Sequence, residues 1–352
     1  MLNRASFLYS VFVAIDCAYQ PSLDQYESST KTPSVFSDYN PSKLLLKEST
    51  REELPSVTEK EKHQQNLRLG STIVRSRTRE VLQSDPTLAG SIVRLAFHDA
   101  TTRDIINCGR TTMGGPNGSI QYEIEGRNEN RGLSRPMKVV HSICNEVSDL
   151  EISLADTIAL SGAAAVECSG GPEIKIRLGR KDATEPDPAK IKHPVQMQTE
   201  RSKVETTLPS AGLDSDGLRL YFQRLGLSEA EWVALCGAHD LGRHITLLNM
   251  PKSCLKNLTR ECLEDAPVSI PFVTKNPDTL SNVYYQKLLE WNDRKIELGE
   301  VAFIPTDVDM VVDAGLRKYV ERYAKDEQEF FRNFRIAYQK LVDVSATTKE
   351  RY

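Results

Sequence analysis

Arg94-Leu95-Ala96-Phe97-His98-Asp99-Ala100 and Leu235-Cys236-Gly237-Ala238-His239-Asp240-Leu241-Gly242 are the two stretches on which the reading of this chain turns. In the first, Arg94 and His98 stand one helical turn apart, so on a helix they share a face. A fixed cation beside a titratable imidazole can draw a proton from a bound molecule and stabilise departing negative charge. In the second, a histidine lies among small and apolar residues able to pack closely against a flat ligand. The chain of 352 residues holds 6 histidines, so two in such settings carry weight.

The surrounding pattern is helical. Residues 88–98 read as one helix and residues 66–84 as the helix before it, ended by Asp85-Pro86. A glycine-rich turn, Gly114-Gly115-Pro116-Asn117-Gly118-Ser119, comes next. Residues 133–147 read as helical. Residues 154–166, LADTIALSGAAAV, form a strongly apolar helix whose small side chains permit close packing, and Gly170-Gly171-Pro172 stops it. Ile174, Ile176 and Leu178 alternate with charge and predict a short strand. Residues 183–207 are polar and contain prolines, which predicts a long loop. Residues 215–225 and 228–239 read as two helices, the second opened by the capping box Ser228/Glu231. Residues 245–282 are irregular, and 309–324 and 326–344 read as closing helices. On the last, Phe330, Phe331, Phe334, Tyr338 and Leu341 fall at helical spacing, the mark of a core stripe rather than a cofactor box. The fold class is mainly α, with two helical lobes.

With 39% hydrophobic and 27% charged residues, the chain suits one large globular domain plus a polar extension. A formal net charge of −4, with no basic block interleaved with aromatics, argues against a nucleic-acid partner. The 7 cysteines (17, 108, 144, 168, 236, 254, 262) lack CxxC spacing, which argues against structural zinc. Cys168 and Cys236 sit in apolar helical contexts and are expected as buried free thiols. Cys254 and Cys262 flank a polar loop, and spacing leaves their pairing open. Met1-Leu2-Asn3-Arg4 and the apolar run 5–15 have the form of a signal peptide's first two parts, too short for a transmembrane span. Tyr19, directly after Ala18, resembles the plastid-targeting signals of algae with secondary plastids; a disordered start is the alternative. The expected organisation is a targeting segment at 1–18, a disordered linker or transit region at 19–60, a domain at 61–346 and a tail at 347–352.

RLAFHDA, NGSI, N-x-GL, LADTIALSGAAAVE, GGPxIxxxLGRKDA, ALCGAHDLG and IPTD stand in this order between residues 66 and 344. The set resembles the class I haem peroxidases, the superfamily of ascorbate peroxidase and cytochrome c peroxidase, and is closest to the ascorbate peroxidase-related proteins. One such motif alone is weak; the ordered set is specific. The resemblance implies the all-helical haem peroxidase fold, with haem b (iron protoporphyrin IX) between two lobes. It implies His239 as the axial ligand of the iron. Asp307, in Ile304-Pro305-Thr306-Asp307, would accept the other ring N–H and make the imidazole more electron-donating. Alone, Asp307 reads as a helix cap. On the opposite side, the resemblance implies His98 as general base toward hydrogen peroxide. Arg94 would stabilise negative charge as the O–O bond breaks, and Asn130 would keep the reactive nitrogen of His98 bare. Alone, Arg94 reads as an exposed helix arginine and Asn130 as a turn residue.

The chain also departs from the resemblance. Phe97 stands where ascorbate and cytochrome c peroxidases carry a distal Trp, and Phe272 falls where they place a proximal one. Phenylalanine is harder to oxidise than tryptophan, which argues against a cytochrome c-type electron route. Thr246-Leu247-Leu248 occupies the neighbourhood of the arginine that ascorbate peroxidases carry beyond the proximal histidine, and residues 249–270 look like an insertion. The expected donor is therefore a small phenolic molecule rather than ascorbate. Arg243 is expected to reach a haem propionate or to be a solvated helix-end cation. Asp99, Asn117 and Ser119 partly resemble a distal calcium site. Asp240, Thr274, Asn276 and Asp278 offer oxygens for a proximal Ca or K ion, although such residues also make turns and caps. Asn117-Gly118-Ser119 and Asn257-Leu258-Thr259 match glycosylation sequons.

These readings predict a haem-dependent peroxidase that reduces hydrogen peroxide to water with electrons from a small donor. Its role would be peroxide detoxification in a plastid, with a secreted or cytoplasmic location as the alternative. The rival is a catalytically inactive pseudo-peroxidase that keeps the fold as a structural or binding protein. A zinc or hydrolase site fails, because neither HExxH nor GxSxG stands in the chain.

Overall fold

A capping box starts the first helix. The Glu61 amide donates to the Thr58 hydroxyl at 3.3 Å, and the Thr58 amide donates to the Glu61 carboxylate at 2.9 Å. Helix α1 therefore runs Glu59–Ser84, beginning ahead of residue 66, because Thr58 and Glu61 nucleate it before the apolar periodicity sets in. The computed structural model describes residues 58–103, 114–130, 132–187, 208, 214–245, 269–271, 276–291 and 303–352. The expected targeting segment and Cys254–Cys262 lie outside them.

Asp85 accepts from the Thr87 amide, a short 3-10 turn follows, and α2 spans Ala89–Ala100, carrying the whole first histidine stretch. Helix α3 is Ser134–Glu146 and α4 is Leu154–Cys168. Ser153 caps α4 by accepting the Asp156 amide at 3.0 Å. From Leu154 to Val166 every residue of α4 is buried. Its small side chains let α1 and α2 lie against it, and a Cβ added at Gly162 would come 2.6 Å from Ala96 Cβ.

The second group of helices comprises α5 (Ser215–Arg224), α6 (Glu229–Cys236), α7 (Val283–Leu289), α8 (Pro305–Val312), α9 (Ala314–Lys325) and α10 (Glu327–Val342). Helix α10 packs on α6, α7 packs on α9, and α10 also reaches α2 in the first group. Phe330, Phe334, Tyr338 and Leu341 are buried as the stripe predicts, while Phe331 is half-buried at its margin. Tyr285, Tyr323 and Phe330 pack edge-on or tilted with ring centroids 5.1–6.1 Å apart, forming an aromatic floor under the end of α6.

Five local expectations are corrected. The helix expected over 228–239 ends at Cys236, and Gly237–Asp240 tightens into a 3-10 turn. Tertiary bonds draw the chain aside there: Ser281 donates to Asp240 through its amide and hydroxyl, and the Gly242 amide donates to the Pro277 carbonyl. The segment 174–178 is extended but not a strand. Ile174, Ile176 and Leu178 are buried as the alternation predicts. Ile176 exchanges backbone bonds with Tyr352 and the Leu178 carbonyl accepts from Thr347 and Thr348, but the Ile174 amide donates to the Glu167 carboxylate, so the ladder is too short for a sheet. Residues 347–352, expected as a tail, are thereby tied to this segment. The stretch 245–282, expected to be irregular, contains β2 (Ser269–Pro271), which pairs antiparallel with β1 (Arg243–Ile245). Cys168 is exposed rather than buried, since it ends α4, and Cys236 is half-buried.

Candidate active site

Helix α2 presents Arg94 and His98 on one face, as their spacing requires. His98 is buried, and its Nδ1 is 2.8 Å from Asn130 Oδ1. Asn130 closes a 3-10 turn, Asn128–Asn130, and its own amide nitrogen donates to the Glu123 carbonyl at 3.5 Å. The preceding carbonyl, of Glu129, accepts from Arg94 Nη2 at 2.6 Å. One turn thus fixes both the imidazole and the guanidinium. Burial, reinforced by the Arg94 charge and opposed by the Asn130 hydrogen bond, holds the His98 imidazole well below its ordinary pKa of 6.5. The ring is therefore neutral near neutral pH. The half-buried Phe97 ring meets it edge-on at 6.2 Å.

The second histidine is held from behind. His239 Nδ1 lies 2.8 Å from Asp307 Oδ1. Asp307 stands in the first turn of α8, where its Oδ2 accepts the Ile304 amide at 3.0 Å, so it acts both as helix cap and as imidazole partner. A third donor, absent from the sequence reading, is the Tyr284 hydroxyl on α7, at 2.7 Å from the same Asp307 Oδ1. Burial, then the Asp307 charge, pushes this phenol well above its ordinary pKa, so it remains a donor. The signal that could have found it is the pair Tyr284-Tyr285 in an apolar helix: a buried tyrosine hydroxyl needs an acceptor.

The two histidine segments are neighbours. A Cβ added at Gly90, in the first turn of α2, would stand 3.0 Å from Gly242 Cα, in the chain leaving His239. Arg243 lies in β1 opposite Pro271; its side chain, together with Phe272 and Thr274, falls outside the described residues.

Of the residues expected to bind a cation, Asp99, Asn117, Asp240 and Asn276 hold local loop and turn structure. Asp99 accepts the Gly118 amide at 3.0 Å and the Ile120 amide at 3.3 Å. Asn117 accepts the Ser119 amide at 3.0 Å and donates to Asp187. Asp240 is held by Ser281, and Asn276 donates to Thr279. Burial pushes the Asp99 and Asp240 carboxyls up to about 7. Among the described residues, no group of three or more His, Cys, Asp or Glu gathers as a metal would require.

A family model described as Peroxidase matches residues 74–326. The chain belongs to the peroxidase family. This peroxidase is 34% identical over 261 residues to "Putative L-ascorbate peroxidase 6" of Arabidopsis thaliana, covering 73% of the chain and 64% of that relative, just under two thirds of its length. It is 33% identical to "L-ascorbate peroxidase 2, cytosolic" of the same plant, covering 74% and 86%. It is 31% identical to "Probable L-ascorbate peroxidase 7, chloroplastic" of Oryza sativa subsp. japonica, covering 72% and 66%. The protein is a class I haem peroxidase related to ascorbate peroxidase, acting on hydrogen peroxide, with the mainly α fold of that family. Among the described residues, no helix is long and apolar enough to cross a membrane.

The residues present fit haem. The His239 side chain is 31% exposed although its partner Asp307 is 1% exposed, so an accessible imidazole backs onto a sealed carboxylate. With Nδ1 committed to Asp307, Nε2 is the ring nitrogen suited to a metal.

Proposed function

We propose that this peroxidase reduces hydrogen peroxide with electrons from a small phenolic donor, in the service of peroxide detoxification. The reading is carried by two imidazole relays, His98 on Asn130 and His239 on Asp307, each at 2.8 Å through Nδ1. His239 would hold the iron of haem b, with Asp307 orienting the ring and enriching it in electrons. Phe97 and Phe272 would flank the haem, and Arg243 would reach a propionate. When bound, the haem supplies the redox chemistry that splits the O–O bond and takes the donor's electrons one at a time.

The chain's own side chains handle protons and charge. Asn130 Oδ1 holds the proton on His98 Nδ1, which leaves Nε2 as the base. Nε2 takes a proton from hydrogen peroxide and hands it to the departing oxygen, which leaves as water. Arg94, anchored on the Glu129 carbonyl, offers positive charge to that oxygen as the bond breaks. Two donor molecules each give one electron and one proton, and the second oxygen of the peroxide leaves as water, which completes the cycle.

The phenolic donor is supported by Thr246-Leu247-Leu248 in place of the arginine that ascorbate peroxidases carry. Ascorbate is the second reading, favoured by the names of the relatives. A plastid location is supported by the N-terminal apolar run and by a relative named chloroplastic. A Ca or K ion at Asp99, Asn117 and Ser119, or at Asp240, Thr274, Asn276 and Asp278, remains part of the proposal.

Stopped-flow mixing with equimolar peroxide tests the base assignment. The Soret band shifts in the parent, and His98→Ala slows the shift by about 10²- to 10⁴-fold. An unchanged rate rejects His98 as base. Subsequent mixing with guaiacol, ascorbate and cytochrome c ranks the donors, with guaiacol expected to be fastest. Folded protein that takes up no haem would favour the inactive alternative.

A further inference from the structure

We propose that Tyr284 is a positioning residue that sets how strongly Asp307 pulls on the His239 imidazole. The proposal rests on the reading of His239 as the iron ligand. Tyr284 and His239 address the same oxygen: Asp307 Oδ1 lies 2.7 Å from the phenol and 2.8 Å from imidazole Nδ1. The other oxygen, Oδ2, is occupied by the Ile304 amide at 3.0 Å. Tyr284 and Asp307 are both buried, so water does not level the competition.

The hydroxyl is held where it is. Tyr284 meets the His239 ring edge-on, with centroids 6.1 Å apart and planes at 80°. Its neighbour Tyr285 bonds the Val233 and Ala234 carbonyls at 2.8 and 3.0 Å, fastening α7 to the helix that leads into His239. Rotation of the phenol away from Asp307 would leave a buried donor unpaired, which costs more than the bond itself is worth.

Two donors on one carboxylate oxygen divide its negative charge. The Tyr284 hydrogen bond therefore weakens the pull of Asp307 on the imidazole N–H, and His239 keeps less imidazolate character. A less electron-rich axial ligand favours the ferrous state. Packing alone would be met by phenylalanine, as it is at the adjacent Phe303; the hydroxyl is the part that acts.

The test uses the haem-loaded full chain with Tyr284→Phe. At a fixed solution potential, the ferric-to-ferrous ratio is expected to rise about tenfold, the effect of losing one hydrogen bond of ordinary strength. The iron–imidazole stretching band of the ferrous protein is expected to move to higher frequency. Tyr284→Leu, which also lacks the hydroxyl, moves both readouts the same way if phenylalanine fails to fold. In an Asp307→Asn background, Tyr284→Phe is expected to shift neither. A purely structural hydroxyl would lower the melting temperature and leave potential and band in place, which overturns the proposal. His239→Ala separates the two levels. Persistence of the band rejects His239 as ligand and the inference with it. Loss of the band, with Tyr284→Phe silent, overturns the inference alone.

Discussion

His98, the base in the proposed reaction, is kept neutral by its surroundings. Its pKa is depressed first by burial, next by the Arg94 guanidinium, with Asn130 pulling the other way. Because the competent form is the unprotonated one, peroxide activation should stay level as pH falls from 8 through 6.5 and drop only below that, as measured by the pH profile of the stopped-flow Soret shift. A drop centred on 6.5 or above would contradict this. The same sign holds for folding: the neutral ring's contribution is present above 6.5, the ordinary value, and fades as pH falls through the lower folded value. Spacing put Arg94 and His98 on one helix face, and the resemblance pointed to Asn130, His239 and Asp307; in the structure His98 meets Asn130, His239 meets Asp307, and Arg94 bonds the Glu129 carbonyl. For Tyr284 the sequence offered only the Tyr284-Tyr285 pair, a sign that a buried hydroxyl needs an acceptor; it could not say that the acceptor is a carboxylate from another helix.

Helices α2 and α4 owe their closeness to side chains that are nearly absent. Gly162 faces Ala96, on the helix of His98, and the Tyr338 ring from α10, whose hydroxyl donates to the Ala159 carbonyl at 3.0 Å. One added methyl must displace one of these helices. Gly162→Ala is expected to cost about 1–3 kcal/mol in urea unfolding, the usual penalty for overpacking. Since Ala96 moves with His98, the variant should also slow the reaction with peroxide; equal stability and an equal rate would show that the contact tolerates a methyl group. Helix existence was readable here from apolar periodicity, whereas ends were not. Thr58 extended α1 backward by capping, and Ser281 and Pro277 shortened α6 by drawing its last turn away. Caps are local and could have been found; the bonds to 277 and 281 join residues far apart in the sequence.

Across the molecule, Arg180 ties distant parts together. Its Nη1 is 2.6 Å from Asp156 in α4, its Nε donates to the Val342 carbonyl at the end of α10, and both charged side chains are 0% exposed. Breaking this pair strands a buried carboxylate, so Arg180→Ala is expected to lose about 3–5 kcal/mol by denaturant titration; a loss below 1 kcal/mol would mean that water reaches Asp156. Helical class, the core stripe and the histidine stretches followed from the sequence alone, because periodicity and short motifs are properties of neighbouring residues. Setting the Tyr284 hydroxyl on the Asp307 oxygen that His239 uses, binding 176–178 to the chain's last residues and laying Gly90 against Gly242 were decided only in three dimensions. Each of these joins groups from separate elements, and which of several buried donors meets which acceptor is settled by packing rather than by spacing.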